Sequence, residues 1–237
     1  MPVPDHVHDD LKALGLEVST EQFDLLERYL AYLLEVNQTT NLTAIRHREE
    51  AWRRLIVDSL SALPGMPDDG GAVVDIGTGA GLPGMPLAIA RPGIEFALLE
   101  TTGKKARFLE EVIARLELPN VAVLQVRAED VGHQPQHRQH YDVAVSRAVG
   151  PMAVVLEYSL PLVKVGGRVL AMKGPKAERE LDEAGDALAK LGAGEVAVID
   201  AYPESFENDL VFVSVIKDRP TPRDYPRAPG LPKKSPL

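Results

Sequence analysis

Short apolar runs alternate with helical stretches from residue 72 onward, and this alternation restricts the possible folds more than any other feature of the sequence. Strands that alternate with helices form a mostly parallel sheet with helices packed against it. The last two runs are an exception, because the segment 204–209 between them has room only for a turn, and these two strands should pair antiparallel. The sequence therefore predicts an α/β fold with seven strands, at 72–76, 95–100, 121–126, 141–146, 168–173, 195–200 and 210–217. Helices are predicted at 82–90, 104–116, 151–162 and 176–191.

The chain on either side of this region has other patterns. Ser19 and Gln22 form a candidate capping box, and apolar residues then recur at helical spacing. A second helical pattern covers 47–63 and is followed by prolines and glycines typical of a linker. Six prolines after residue 217 disfavour any regular element there. We predict a helical N-terminal region at 1–66, an α/β domain at 67–217 and a proline-rich basic C-terminal tail at 218–237.

The segment DIGTGAGLPG, from Asp75 to Gly84, matches two glycine fingerprints at once. The pattern G-x-G-x-x-G, which begins at Gly79, is typical of dinucleotide-binding turns. The pattern D-x-G-x-G-x-G, which begins at Asp75, is typical of loops that hold S-adenosylmethionine (AdoMet). Both use glycine for a sharp turn and a close approach to a ligand, at the carboxyl end of a strand where open parallel sheets bind their ligands.

Two carboxylates bear on the choice between these cofactors. Asp75 would favour AdoMet, which carries a sulfonium cation, and would repel a pyrophosphate. It could instead only accept hydrogen bonds from amides of the loop. Glu100 ends the second predicted strand, where an acid can accept from both hydroxyls of the ribose that NAD and AdoMet share. The antiparallel strand pair is the usual plan of AdoMet-dependent methyltransferases and favours AdoMet as the cofactor.

Composition excludes several kinds of site and location. The sequence has no cysteine, which rules out disulfides and thiol nucleophiles. The histidines His133, His137 and His140 match no metal-ligand spacing, so we expect no metal. No uninterrupted apolar run reaches the roughly 18 residues of a membrane span, and the acidic first residues do not resemble a secretory signal. We expect a cytoplasmic monomer that does not bind membranes.

Motifs that the sequence lacks narrow the reaction. There is no Walker phosphate-binding loop, and the fourth predicted strand ends in SRAVGP rather than in the Asn/Asp-Pro-Pro-aromatic motif common in enzymes that methylate exocyclic amines. Without cysteine, the covalent route to C5 of a pyrimidine is closed. An acceptor that is already nucleophilic, such as N7 of guanine, remains, and it needs positioning rather than a base. A nicotinamide-dependent oxidoreductase and a non-catalytic AdoMet- or RNA-binding regulator stay open as alternatives.

The net charge of −9 raises the question of how the chain could hold a nucleic acid. Six basic and two acidic residues lie between 217 and 237, so this segment could supply phosphate contacts. The arginines Arg46, Arg48, Arg53 and Arg54 could extend the basic surface from the helical region. The alternative is a packed or disordered tail whose positive charge has no role in binding.

Five stretches of the chain carry more specific sequence than any glycine fingerprint. They are NLTAI from Asn41, DSL from Asp58, DIGTGAGLPGMP from Asp75, GKKARFL from Gly103, and SRA from Ser146 continuing to MKG from Met172. Together they resemble the bacterial glucose-inhibited division protein B family, the 16S ribosomal RNA (guanine-N7) methyltransferases. The resemblance implies a helical region on a Rossmann-like class I AdoMet-dependent methyltransferase domain. It implies a substrate in 16S rRNA or the 30S subunit, near the decoding region.

Seven residues form the candidate cofactor site. Gly79 and Glu100 follow from their places in the loop and at the end of a strand. The resemblance adds five more, which are Gly77, Leu82, Ala128, Glu129 and Arg147. No catalytic base is identified, and Arg147 is the best candidate for positioning the acceptor, although it could simply pair with an acid such as Glu129. Many relatives have Ser after the acid at Glu100, where this chain has Thr, and this departure leaves the ribose role intact.

Overall fold

The computed structural model describes residues 3–203, 206 and 208–237. Its strands are β1 Ala72–Ile76, β2 Glu95–Leu99, β3 Val121–Leu124, β4 Tyr141–Arg147, β5 Val163–Lys173, β6 Ala193–Asp200 and β7 Val211–Lys217. Within the described residues these seven strands form one sheet in the order β3-β2-β1-β4-β5-β7-β6. Strand β7 runs opposite to the other six and pairs antiparallel with both β5 and β6, so the predicted α/β fold with an antiparallel last strand is confirmed.

Strand β5 begins earlier than predicted because it contains an irregularity. Its pairing with β4 shifts register between Val163 and Arg168, so that residues 164–167 lie outside the regular ladder. Gly167 approaches β4 so closely that a Cβ atom would come within 2.6 Å of the Asp142 carbonyl oxygen. A pair of glycines usually interrupts a strand pattern, which is why the prediction began this strand at 168.

The helices lie where the sequence predicts them, but some of the predicted helices are divided. They are α1 Asp5–Ala13, α2 Thr20–Val36, α3 Arg48–Ala51, α4 Asp58–Leu60, α5 Gly84–Ala90, α6 Gly103–Leu116, α7 Ala128–Val131, α8 Met152–Ser159, α9 Ala177–Asp182, α10 Gly185–Leu191 and α11 Leu231–Lys234. The predicted helix at 47–63 is divided by a π-helical segment at Trp52–Val57, and the one at 176–191 is two helices. Among the described residues, no helix is both long and apolar enough to cross a membrane.

Helix α2 begins as the sequence predicts and is then attached to the sheet domain. The Ser19 hydroxyl accepts from the Gln22 amide at 3.2 Å, and the Gln22 side-chain oxygen accepts from the Ser19 amide at 2.9 Å. The Gln22 side chain also donates to the Ala90 carbonyl oxygen at 3.0 Å, at the end of α5. The same residue therefore caps one helix and connects the N-terminal region to another.

The hydrophobic core lies on both faces of the sheet. Alternate residues of β1 point to opposite faces, and Val73 and Val74 belong to two different clusters of buried side chains. The cluster around Val73 includes Leu30 and Trp52, so the N-terminal helices and one face of the sheet share a core. The domain boundaries at 66 and 217 stay a prediction.

Residues 218–237 pack along the α/β domain. Arg138 donates to the carbonyl oxygens of Thr221, Pro222 and Tyr225 at 2.8–3.0 Å. The Thr221 hydroxyl donates to the Leu191 carbonyl oxygen at 2.7 Å. One helical turn, α11, forms despite the prolines, because a proline in the first turn of a helix removes an amide that needs no intrahelical partner.

Two cations that we expected to contact phosphate are bound within the protein instead. Lys217 is wholly buried, and its ammonium group donates to the carbonyl oxygens of Leu160 and Val163 at 2.7 Å each. This burial lowers the pKa of Lys217 to about 8. Arg227 forms a bidentate ion pair with the buried carboxylate of Glu157. For these two residues the expectation of phosphate contact was wrong, and the alternative of a packed segment describes them.

Candidate active site

The glycine-rich loop between β1 and α5 is built around the carboxylate of Asp75, which is completely buried. Its Oδ2 atom accepts from the Gly84 amide at 2.8 Å and from the Thr78 hydroxyl at 2.5 Å. Its Oδ1 atom is buried without a hydrogen-bond partner among the described residues. Asp75 thus holds the two ends of the loop together, which is the second of the two roles predicted for it.

Left-handed backbone geometry explains the glycine pattern of the loop. Gly77, Gly79 and Gly81 have φ angles of 66°, 62° and 99°, which side chains of L-residues rarely permit. At Gly81 a Cβ atom would also lie 2.9 Å from a methyl group of Leu109. The loop can therefore turn above α6 only with glycine at these positions.

Helix α2 supports the loop from the N-terminal region. Tyr29 is fully buried, and its hydroxyl donates to the Ala80 carbonyl oxygen at 2.8 Å. Burial raises the pKa of Tyr29 far above its usual value, so the hydroxyl remains a donor at every physiological pH. The helical region therefore helps to set the conformation of the loop as well as covering the sheet.

A small cavity of about 140 Å³ lies beside the loop, at the carboxyl ends of β1 and β2. Four of the seven candidate residues line it, namely Gly77, Glu100, Ala128 and Glu129. Glu100 is 6% exposed, and its Oε1 atom accepts from the Thr102 amide at 2.7 Å. Its Oε2 atom has no hydrogen-bond partner among the described residues, so it is available to accept from hydroxyl groups of a ligand.

Glu129 is a buried wall of the small cavity, only 4% exposed, rather than a solvated loop acid. Its Oε1 atom accepts from the Gly230 amide at 2.9 Å and from the Tyr158 hydroxyl at 3.2 Å. These contacts attach the C-terminal segment and α8 to the cavity. The predicted alternative of an Arg147–Glu129 pair is wrong, because the Arg147 guanidinium donates to the Arg54 carbonyl oxygen at 2.9 Å.

A large cavity of about 740 Å³ lies next to the small one, and among the described residues four cationic and three acidic side chains line it. Arg147 lines it and is half-buried. Burial lowers the pKa of this guanidinium, and the carboxylate of Asp58 opposes that shift. Lys173 donates to the Gly150 carbonyl oxygen and to the Glu180 carboxylate at 2.6 Å each. The charged side chains of the wall are Arg53, Arg54, Asp58, Arg147, Lys173, Glu180 and Asp209.

Residues 147–150, at the end of β4 and directly after it, separate the two cavities. Val149 lines the small cavity, whereas Arg147, Ala148 and Gly150 line the large one. The glycine loop meets this segment directly, because a Cβ atom at Gly77 would lie 3.2 Å from a methyl group of Val149. A molecule in the small cavity and a molecule in the large cavity would therefore face each other across four residues of chain.

Two candidate residues lie outside both cavities. The side chain of Leu82 is buried in the core beneath the loop, and Gly79 lies at the outer turn of the loop. Contact of either residue with a cofactor stays a prediction, as does contact of Arg147. Among the described residues, no group of three or more His, Asp or Glu side chains is arranged to hold a metal ion, and the expected absence of a metal stays a prediction too.

Sequence reasoning missed several residues of the two cavities. Lys173 ends β5 beside Arg147 at the end of β4, and the rule that ligands bind at the carboxyl ends of parallel strands could have found it. Asp58 lies in a stretch that resembles the family, but no role was assigned to it. Gly230 and Lys233 line the small cavity from the C-terminal segment, and no local pattern in the sequence points to them.

Asp75 should make the stability of the protein depend on pH. Burial raises the pKa of Asp75 to about 6, while an unfolded Asp titrates near about 3.9. The folded state therefore binds this proton more tightly than the unfolded state. The resulting contribution to the free energy of unfolding is intact below about pH 4, decreases as the pH rises, and is fully lost above about pH 6. We expect Asp75→Asn, whose amide oxygen can still accept from Gly84, to show a smaller loss of unfolding free energy from pH 4 to 7 in urea titrations. Identical pH profiles of the two proteins would contradict this assignment.

The fold and the site together define the class of protein. A sheet in this order with β7 antiparallel, a glycine-rich loop after β1 and an acid at the end of β2 make the chain a class I AdoMet-dependent methyltransferase. A putative S-adenosyl-L-methionine-dependent methyltransferase from Methanococcus maripaludis has the same fold, with a TM-score of 0.56, 14% identity and coverage of 80% of this chain and 92% of that one. A 16S rRNA N2 methyltransferase from T. thermophilus, solved with AdoMet and guanosine, matches with a TM-score of 0.50 and 17% identity over 69% of this chain and 39% of that one.

The sequence comparisons show the family. Residues 22–205 match the family model described as rRNA small subunit methyltransferase G, and the chain belongs to this family. The ribosomal RNA small subunit methyltransferase G of Moorella thermoacetica is 44% identical over 95% of each chain. That of Pelotomaculum thermopropionicum is 43% identical over 98% of this chain and 97% of its own. The resemblance found in the sequence is confirmed, and the alternatives of an oxidoreductase and a non-catalytic regulator are wrong.

Proposed function

We propose that the protein transfers the methyl group of AdoMet to N7 of a guanine in 16S rRNA. The observation that carries this proposal is the pair of adjoining cavities that the segment after β4 separates. The small cavity is lined by carboxylates that can accept from the hydroxyls of a nucleoside, and the large cavity has room for a nucleotide of an RNA chain beside four cationic and three acidic side chains of the described residues. Membership of the rRNA methyltransferase family agrees with both assignments.

The lining of the small cavity suits the adenosine part of AdoMet. Glu100 offers a carboxylate oxygen to the ribose hydroxyls, and Gly77 has no side chain to obstruct the approach of the ligand. The neighbouring Ala128 and Glu129 would border the adenine. AdoMet supplies an electrophilic methyl group on a sulfonium. The glycine loop would hold the cofactor beside the segment after β4, which it contacts at Val149.

The large cavity fits the acceptor nucleotide and its phosphates. Arg53 and Arg54 are exposed on its rim, and Arg147 is half-buried closer to the loop. Guanidinium groups bind phosphate oxygens in bidentate geometry, which would fix the RNA backbone and leave the base to enter the cavity. A local cluster of this kind answers the question raised by the net charge of −9, because binding depends on the surface at the site rather than on the whole chain.

The reaction at N7 needs positioning rather than proton transfer. The lone pair of N7 lies in the plane of the guanine ring and is free at neutral pH, so no side chain has to remove a proton. Alignment of N7 with the methyl group and the sulfonium can supply much of the rate enhancement. The absence of an assigned catalytic base is therefore consistent with the proposed acceptor.

We further propose that the substrate lies near the decoding region of 16S rRNA or of the 30S subunit, and that the protein acts as a monomer in the cytoplasm. Resemblance to the family supports the location of the substrate. The lack of cysteine is typical of a chain that needs no disulfide, which supports the compartment.

The proposed reaction predicts a single methylated nucleoside. Wild-type protein incubated with AdoMet carrying a labelled methyl group and with 30S subunits or 16S rRNA from cells that lack the gene should yield 7-methylguanosine. Digestion of the RNA to nucleosides and mass spectrometry identifies the product, and mapping of the modified fragment identifies its place. A methyl group on ribose or on an exocyclic amine would contradict the mechanism, and unlabelled RNA in both substrates would contradict the proposed function.

A further inference from the structure

The C-terminal segment contacts the small cavity, although it lies about one hundred residues after Glu129 in the sequence. The Gly230 amide donates to the Oε1 atom of Glu129 at 2.9 Å, and both Gly230 and Lys233 line the cavity. We name residues 221–234 the C-terminal strap. The strap forms a wall of the proposed cofactor site that neither the glycine loop nor the sheet provides.

Buried contacts with α8 and with Arg138 hold the strap in place. Glu157 on α8 has a side chain that is 1% exposed, and it accepts from the backbone amide and the guanidinium of Arg227 at 2.6–3.2 Å. Breaking such a pair would leave an unpaired buried charge, which is costly. Arg138 binds three carbonyl oxygens of the strap, and Pro226 packs against Gly132. These contacts, together with the Gly230–Glu129 hydrogen bond, fix the backbone that carries Lys233.

Lys233 is the part of the strap that can recognise a ligand. Its side chain is exposed, and it forms no ion pair with any residue that the structure describes. The adenine ring presents nitrogen atoms that only accept hydrogen bonds, whereas the Glu100 and Glu129 carboxylates in the wall are acceptors themselves. A lysine ammonium group has three donors and can satisfy an adenine ring nitrogen where these carboxylates cannot.

We propose that Lys233 is a cofactor-binding residue, which donates a hydrogen bond to a ring nitrogen of the adenine of AdoMet while the C-terminal strap holds it at the small cavity. This inference rests on the proposed function for the identity of the ligand. It assigns a role in cofactor binding to the last turn of helix in the chain.

The adjacent lysine provides a matched control for the experiment. Lys234 is also exposed and carries the same charge, but it does not line the small cavity. Calorimetry on the full chain without RNA would measure the dissociation constants of S-adenosylhomocysteine and of 5′-methylthioadenosine, which lacks the amino-acid part. Lys233→Met should weaken both ligands by about five- to tenfold, the usual effect of one lost hydrogen bond. Lys234→Met should change either constant by less than about twofold.

Each other outcome would overturn the proposal. Unchanged affinity of Lys233→Met for both ligands would remove Lys233 from the cofactor site. Weaker binding of S-adenosylhomocysteine alone would place Lys233 at the amino-acid part of the cofactor. Equal losses of affinity in Lys233→Met and Lys234→Met would show a general effect of positive charge. Thermal unfolding of the wild-type protein and the two variants would show whether a loss of affinity reflects misfolding. The calorimetry contains no RNA, so it tests Lys233 independently of the methylation reaction. If the binding results are as expected but 16S rRNA is not methylated, the proposed function is wrong and the role of Lys233 stands.

Discussion

Replacement of Arg147 by methionine should lower kcat/KM for methylation of the ribosomal substrate by about 100-fold, while the protein stays folded. Arg147 is half-buried at the boundary between the two cavities, and its guanidinium is anchored to the Arg54 carbonyl oxygen at 2.9 Å. A cation fixed at that point can hold the incoming nucleotide against the cofactor, and loss of alignment by about 1 Å can cost about 100-fold in rate. Methionine keeps much of the length of the side chain and removes the charge and the donors.

Two measurements separate the possible roles of Arg147. Calorimetry with S-adenosylhomocysteine should give a dissociation constant within about twofold of wild type if Arg147 acts on the acceptor. Loss of cofactor affinity by the same factor as the loss of methylation would instead assign Arg147 to the cofactor, as the resemblance to the family implies. Arg179→Met is a suitable control, because Arg179 is an exposed residue of α9 whose ion pair is with Glu183, the residue that follows this helix. Wild-type turnover of Arg147→Met would remove Arg147 from the site.

Replacement of Gly84 by alanine should lower the free energy of unfolding by about 3 kcal/mol, near the upper end of the usual cost of overpacking. A Cβ atom at Gly84 would lie 2.4 Å from a methyl group of Leu98 and 2.8 Å from the Oδ2 atom of Asp75. Neither neighbour can move freely, because Leu98 is a fully buried residue of β2 and the Asp75 carboxylate accepts a hydrogen bond from the Gly84 amide. We therefore expect the loop to shift. Urea titrations should show the lower free energy of unfolding, and calorimetry should show a lower affinity for S-adenosylhomocysteine.

Gly185→Ala is the matched control for this substitution. Gly185 begins α10, and a Cβ atom there would meet no other atom within 4 Å. Alanine favours the helix, so the free energy of unfolding should stay the same or rise by up to about 1 kcal/mol. A Gly84→Ala protein as stable as wild type would show that the loop and β2 are packed less tightly than the structure describes.

Local patterns in the sequence determined the elements and their class. Alternation of strand and helix predicted a mostly parallel sheet, and β1 has the predicted bounds of 72 and 76 because a short apolar run between turn residues leaves little choice. The Ser19–Gln22 capping box is likewise a contact between residues three apart. The positions of Gly77 and Glu100 at the ends of two parallel strands were enough to place them in one cavity.

Tertiary structure alone decided what the charged residues do. Lys217 and Arg227 look like the other cations of a basic tail in the sequence, but one is buried beneath carbonyl oxygens and the other is paired with Glu157. Asp75 holds the loop, and the strap brings Lys233 to the small cavity. The role of a charge depends on burial and on partners that can be a hundred residues away, and no periodicity or spacing within the sequence encodes those distances.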